Sequence, residues 1–117
     1  MVVGHGNLSD AELDRLFRAL ADATRRDIIR RVLAGEQASV SALAARYDMS
    51  FAAVQKHVAV LEEAGLVIKR PYGRERRVSG NPEQLARARD LLTQLEDLWR
   101  ARFSQIDKLF ENPDSTE

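Results

Sequence analysis

Residues 39–80 read SVSALAARYDMSFAAVQKHVAVLEEAGLVIKRPYGRERRVSG, and the order of patterns within them decides the fold. Ser39 or Ser41 can cap a short helix carrying Val40, Leu43, Ala44 and Tyr47 at helical spacing. A serine suits that place because its hydroxyl accepts from a first-turn amide that has no partner inside the helix. A turn follows at Asp48-Met49. Ser50 then caps a second helix with Val54, Val58 and Leu61 on one face, Met49 and Val54 are spaced as a hydrophobic staple, and Gly65 closes the helix. Beyond Gly65 the period changes. Leu66 to Arg70 and Arg74 to Ser79 read as two short strands around Pro71-Tyr72-Gly73. These patterns predict two helices joined by a tight turn, followed by a β-hairpin with a basic tip.

Upstream, Ser9-Asp10-Ala11-Glu12 has the form of a capping box, and Leu13, Leu16, Phe17 and Leu20 fall on one face of the helix it opens. A further helix starts around Asp22 to Thr24, is expected to bury Ile28, Ile29, Val32 and Leu33, and stops at Gly35. Its other face is basic, with Arg25, Arg26, Arg30 and Arg31. Downstream, Asn81-Pro82 is a strong helix start, and no breaker intervenes before Asn112-Pro113, so a helix over 82–110 is expected. Leu85, Ala88, Leu92, Leu95, Trp99, Arg102, Ile106 and Leu109 alternate three and four residues apart along it, which is coiled-coil spacing. Leu91, Leu98 and Phe103 widen the stripe beyond what a small domain covers, which makes a second copy of the chain the natural partner. Leu13, Phe17, Leu85, Leu92, Leu95, Trp99, Phe103 and Ile106 are the candidate dimerisation residues. The fold class is mainly α with a small β-hairpin wing: a winged helix-turn-helix with a long C-terminal dimerisation helix. Its expected organisation is an N-terminal tail over 1–9, one domain over 10–110 and a disordered tail over 111–117.

A chain of 117 residues accommodates one apolar core, and its 44% hydrophobic and 31% charged content is that of a soluble globular protein. No apolar run approaches the roughly 18 residues of a membrane span. Met1 to Asn7 lacks the basic and apolar regions of a secretory signal, which points to the cytoplasm. The absence of cysteine excludes disulfides, thiolate metal sites and thiol redox sensing. Net charge is zero, yet Lys69, Arg70, Arg74, Arg76 and Arg77 stand against Glu75 alone between residues 69 and 77. Residues 82–117 carry eight acids and five bases. This segregation gives one face reason to meet an anion.

A capped helix after a tight turn, flanked by a basic hairpin, suits double-stranded DNA: the major groove admits the helix, whose N-terminal residues point toward base edges. Ser50, Phe51, Ala52, Gln55 and Lys56 occupy that position. Gln55 can pair with adenine, Lys56 can donate to guanine or phosphate, and Phe51 or Ala52 can touch a thymine methyl. Arg70, Tyr72, Arg74, Arg76 and Arg77 would meet backbone or minor groove. Each has an ordinary rival: Gln55 and Lys56 are common surface residues, Phe51 can pack on the preceding helix, and His57 flanks the apolar stripe as a partly buried, hydrogen-bonded histidine. There is no nucleophile-base motif, phosphate loop or isolated carboxylate pair, so the sequence implies neither enzyme nor cofactor. The competing class is a winged-helix module that binds protein instead of DNA.

LFRALADATR over 16–25, Ser41-Ala42-Leu43-Ala44, and Met49 to Leu66 with His57 and Glu63-Ala64-Gly65-Leu66 resemble the ArsR (ArsR/SmtB) transcriptional regulators over about residues 10–80. The resemblance implies a homodimeric winged-helix repressor binding an inverted-repeat operator near its own promoter, often with effector-controlled release. It puts Ser50, Phe51, Ala52, Gln55, Lys56 and His57 on the DNA-reading helix, His57 near a phosphate, and Arg74, Arg76 and Arg77 on the wing. Metal-sensing members carry a cysteine pair where this chain has Ser39 and Ser41, or Asp and His on the last helix, where residues 82–110 hold no histidine. His5 and His57 are the two histidines. The chain is therefore most similar to the metal-independent, autorepressor-like branch, with no metal site expected and no effector identified.

Overall fold

The computed structural model describes residues 8–36 and 38–111. His5, the rest of the expected N-terminal tail through Asn7, and the C-terminal tail from Asn112 lie outside the described residues. Ser9 opens α1 (Asp10–Leu20) with the expected capping box: Glu12 N donates to Ser9 Oγ at 3.1 Å, and Ser9 N donates to Glu12 Oε1 at 2.8 Å. The bond from Ser9 N holds the Glu12 carboxyl below its ordinary value. Asp22 caps α2 (Ala23–Leu33), Ser39 caps α3 (Val40–Ala44) and Ser50 caps α4 (Phe51–Glu63). Each of these caps supplies an acceptor to an amide that the helix itself leaves unpaired. Between the two capping serines, Ala45 to Met49 form the turn; Tyr47 lies in it, beyond the end of α3.

The strands are β1 (Ala38–Ser39), β2 (Val67–Tyr72) and β3 (Glu75–Gly80), in one antiparallel sheet of order β1-β3-β2. The hairpin turn is Gly73-Arg74, with Gly73 at φ 64°, so Pro71 and Tyr72 belong to β2 and not to the turn expected around them. Pro71 is tolerated because β2 is an edge strand, where a missing N–H costs least. β1 was not legible in the sequence. Two residues carry no period, and their pairing, Ala38 with Val78 and Ser39 with Arg77, is to a strand 38 or more residues away.

The chain divides into two compact units, meeting in sequence at Arg87 and Ala88. In the first, Leu16 of α1, Ile28 of α2, Leu43 of α3, Val54, Val58 and Leu61 of α4, Leu66 before the wing and Val78 of β3 are all fully buried. Burying such a side chain contributes about 1.5–3 kcal/mol, so this cluster dominates the unit's stability. α4 packs on α1, α2, α3 and β2. Leu33 departs from expectation at 41% exposure: it lies at the end of α2, over Gly80, where its Cδ2 stands 2.6 Å from where a Cβ would be. The second unit is the rest of α5 (Pro82–Glu111), the long helix expected over 82–110.

Two polar groupings hold the ends of the turn and of α4. Tyr47 Oη donates to Asp27 Oδ2 at 2.6 Å, Arg31 Nε donates to the same oxygen at 3.0 Å, and Glu36 pairs with both Arg31 and Arg46. The Tyr47 hydrogen bond, with Arg31 second, holds the Asp27 carboxyl below its ordinary value. Burial, together with Asp27, pushes the Tyr47 phenol from 10.0 up to about 12. At the other end, three successive carbonyls after α4 accept from the start of α5: Ala64 from Gln84 Nε2 at 2.9 Å, Gly65 from Asn81 Nδ2 at 2.8 Å and Leu66 from Asn81 N at 2.9 Å. Gln84 is buried at 8% exposure and satisfied on its other side by Arg87.

Two expectations follow. Gly65 sits at φ 77°, and an added Cβ would meet Gln84 Nε2 at 3.0 Å, whereas Gly73 has nothing within 4 Å. Gly65→Ala should therefore lower the urea midpoint more than Gly73→Ala, each backbone penalty being about 1–3 kcal/mol. Because the folded state keeps Tyr47 protonated above its ordinary value, stability from this group is complete below pH 10.0 and is lost as pH rises toward about 12. Tyrosinate absorbance should contain a component with a midpoint near that upper value, and Tyr47→Phe should remove it.

Candidate nucleic-acid interface

With Val54, Val58 and Leu61 turned inward, the 3.6-residue period leaves Ala52, Gln55 and Lys56 exposed on α4. Phe51 is 48% exposed at the first position of the helix. Ser50 Oγ accepts from Ala53 N at 3.1 Å, which gives this hydroxyl a structural task as the cap. His57 lies on the flank between exposed and buried faces, its side chain 21% exposed.

His57 meets α2 through a residue that sequence reasoning placed only on a basic helix face. Arg25 Nη1 lies 3.1 Å from His57 Nδ1, while Arg25 Nε donates to the Ala19 carbonyl at 2.8 Å and Nη2 donates to the Arg18 carbonyl at 3.1 Å. Arg25 thus closes the C-terminal carbonyls of α1 and touches α4 at once. Asp22 Oδ1 stands 3.9 Å from His57 Nδ1 and accepts from Arg25 N at 3.0 Å. That backbone bond is the main reason the Asp22 carboxyl is held below its ordinary value, with the charge of Arg25 adding to it. Arg26 likewise turns to a carbonyl, that of Leu20, at 2.8 Å. Arg25 sits in the LADATR segment, but nothing in helical periodicity relates it to a histidine 32 residues away.

The wing has two chemically distinct faces, set by its register. Arg70 stands opposite Arg77 and Tyr72 opposite Glu75, while Lys69 faces Val78 and Pro71 faces Arg76 on the other side. Arg76 and Arg77 are therefore presented to opposite faces, a separation their adjacency in sequence implies once the strand is known. Arg77 stacks over the Tyr72 ring with its guanidinium carbon 3.7 Å from the centroid, and its Nε is 3.5 Å from Glu75 Oε1. Like charges directly opposite each other disfavour pairing, so Arg70 and Arg77 together form a place where an anion would relieve repulsion. They line a shallow hollow with Pro71, Tyr72 and Ser79. Arg74 and Arg76 are exposed at the tip. Lys69 is turned to the base of the wing, where its Nζ is 3.5 Å from Glu62 Oε1 of α4.

In the first unit Leu13, Phe17 and Leu85 are half-buried. In the second, Leu92, Leu95, Trp99, Phe103 and Ile106 are each between 44% and 62% exposed, and Trp99 meets Phe103 edge to face at 4.7 Å. Leu98, Leu109 and Phe110 are more exposed still. Ser39 uses its hydroxyl to accept from Ala42 N at 3.1 Å. Among the described residues no group of three or more His, Cys, Asp or Glu side chains is placed to hold a metal ion, and no helix is long and apolar enough to cross a membrane.

Comparison with known proteins agrees with this geometry. The family described as "Helix-turn-helix domain" matches residues 20–70. The HTH-type transcriptional regulator Rv2034 of Mycobacterium tuberculosis is 37% identical over 99 residues, covering 85% of this chain and 89% of that protein. An ArsR-like transcriptional regulator from Rhodococcus sp. RHA1 superimposes with a TM-score of 0.75 at 33% identity, covering 85% of this chain and 92% of that one. The homodimeric winged helix-turn-helix DNA-binding domain Mb0332 of Mycobacterium bovis, described as a possible ArsR-family regulator, superimposes with a TM-score of 0.59 at 25% identity over 77% of this chain and 88% of that one. Capped helix, hairpin wing and near full-length similarity to such regulators together place the chain in the ArsR family of winged helix-turn-helix proteins, as a DNA-binding transcriptional regulator.

Proposed function

We propose that the protein is a homodimeric, metal-independent repressor that binds a pseudo-palindromic operator in the cytoplasm, upstream of its own gene. The observation that carries the dimer is the exposed apolar row Leu92, Leu95, Trp99, Phe103 and Ile106, which on an isolated chain is an aggregation liability and on a dimer is an interface. The homodimeric state given for Mb0332 supports it. Leu13, Phe17 and Leu85 contribute further contacts to the partner chain. The working domain is 10–110.

Each α4 enters a major groove, the two copies about 34 Å apart, with Gln55 and Lys56 toward base edges and Phe51 and Ala52 against apolar groups there. Ser50 at the N-terminus of α4 and His57 on its flank meet the DNA backbone. On the wing, Arg70, Tyr72 and Arg77 present one face and Arg76 the other, with Arg74 at the tip, to phosphate or minor groove. Occupation of the operator blocks polymerase. The serine at the cap of α3 is a poor ligand for a soft metal ion, which supports independence from metal.

Fluorescence anisotropy on DNA from upstream of the gene, with scrambled competitor, tests the reading. With about six to eight phosphate contacts per dimer, the log-log salt slope should be about −5 to −7, and EDTA should leave binding unchanged. A flat salt response, or loss of binding with EDTA, would overturn it. Replacing Arg74, Arg76 and Arg77 together by Gln should abolish binding while leaving the circular dichroism spectrum intact. Leu95→Asp should give a monomer by light scattering with little specific affinity; a variant that remains dimeric would show that the interface lies elsewhere.

A further inference from the structure

We propose that Arg25 is a positioning residue that fixes the protonation form of His57, so that α4 offers DNA a neutral imidazole whose Nε2–H points outward to a phosphate oxygen. A guanidinium has five N–H donors and no acceptor. Its contact with His57 Nδ1 at 3.1 Å is therefore a hydrogen bond only if Nδ1 is the acceptor and carries no proton. In a neutral imidazole the proton then sits on Nε2.

Arg25 cannot readily adjust to a different partner state. Its Nε and Nη2 are committed to the Ala19 and Arg18 carbonyls, so Nη1 is held against the ring by a planar fork fixed at its other two corners. Asp22, the carboxylate nearest Nδ1, is at 3.9 Å and is already bound to Arg25 N at 3.0 Å, which leaves the guanidinium as the nearer partner. Among the described residues the second ring nitrogen has no hydrogen-bond partner, yet no buried side-chain nitrogen or oxygen among them lacks one, so Nε2 reaches solvent. One nitrogen is thus occupied from inside the protein and the other is left as an outward donor on the flank of the helix. A phosphate oxygen accepts from such a donor without requiring a charged ring. The phosphate half of this inference rests on the reading of α4 as the DNA-contacting helix. The tautomer half concerns the free protein and stands without it.

Long-range proton–nitrogen correlation spectra of protein labelled with ¹⁵N-histidine test the tautomer directly, and His57→Ala identifies which signals belong to His57 and which to His5. Wild-type His57 should show an unprotonated Nδ1 and a protonated Nε2 at neutral pH, and Arg25→Met should convert this to a mixture of tautomers. A protonated Nδ1 in the wild type would overturn the proposal, and this measurement does not depend on any variant folding. A double-mutant cycle in the anisotropy assay tests the consequence. Arg25→Met and His57→Ala should each weaken operator binding about tenfold, and the double variant should be no more than about twofold weaker than His57→Ala. An Arg25→Met effect of the same size in the His57→Ala background would reduce Arg25 to a structural residue. The expected tautomer in a wild-type protein that binds no DNA would overturn the phosphate contact and the reading of α4, but not the assignment of Arg25.

Discussion

A helix can bury one stripe, and the complete burial of Val54, Val58 and Leu61 commits α4 to a single rotation about its axis. Which side chains α4 exposes depends on that commitment. A turn of the helix by one residue, about 100°, would carry Val54, Val58 and Leu61 out of the core and bring in Gln55, Ala59 and Glu62, or Ala53, His57 and Val60, at a cost of several kcal/mol in burial alone. The exposed row of Ala52, Gln55 and Lys56 is thus a consequence of the core, and no separate interaction is needed to aim it.

Rotation leaves the helix free to slide and tilt, and polar bonds at its two ends remove that freedom. At the N-terminus Ser50 satisfies an amide, and at mid-helix Arg25 reaches His57 from the carbonyls that end α1. At the other end, Asn81 and Gln84 satisfy the carbonyls of Ala64, Gly65 and Leu66. Ser50 answers a requirement every helix has, since its terminal amides lack partners within it. Asn81 and Gln84 do the same for the carbonyls of the segment that leaves α4, so satisfying the backbone there also fixes where the helix ends. The Lys69 to Glu62 pair, partly shielded at the base of the wing, sets the hairpin against the same helix.

Most of the helical framework was legible because its signals are local. Ser9 with Glu12, Asp22, Ser39 and Ser50 act within three residues of themselves, and the glycines at 35, 65 and 73 adopt the positive φ that ends helices or closes hairpins. Where the reading went astray, a non-local contact decided. Leu33 has the periodicity of a core residue but lies at the end of α2, over Gly80, and stays 41% exposed. Pro71 and Tyr72 have turn-like composition but lie in β2, because Gly73-Arg74 suffices to reverse the chain. The basic face assigned to α2 is largely not a free surface: Arg25 and Arg26 bind carbonyls of α1, and Arg31 binds Asp27 and Tyr47.

By itself the sequence determined where helices begin and end, which of their faces are apolar, that a basic hairpin follows α4, and that the last helix carries more apolar surface than a small domain needs. Those properties follow from capping and from the periods of helix and strand, which act over a few residues. Tertiary structure alone decided that Arg25 belongs to His57, that Arg77 stacks on Tyr72 while Arg76 faces the other way, that Tyr47 is held by Asp27, and that Ala38 and Ser39 join the sheet. The reason is physical. An arginine offers the same donors to any acceptor within reach, and which acceptor that is depends on how elements distant in sequence are packed together.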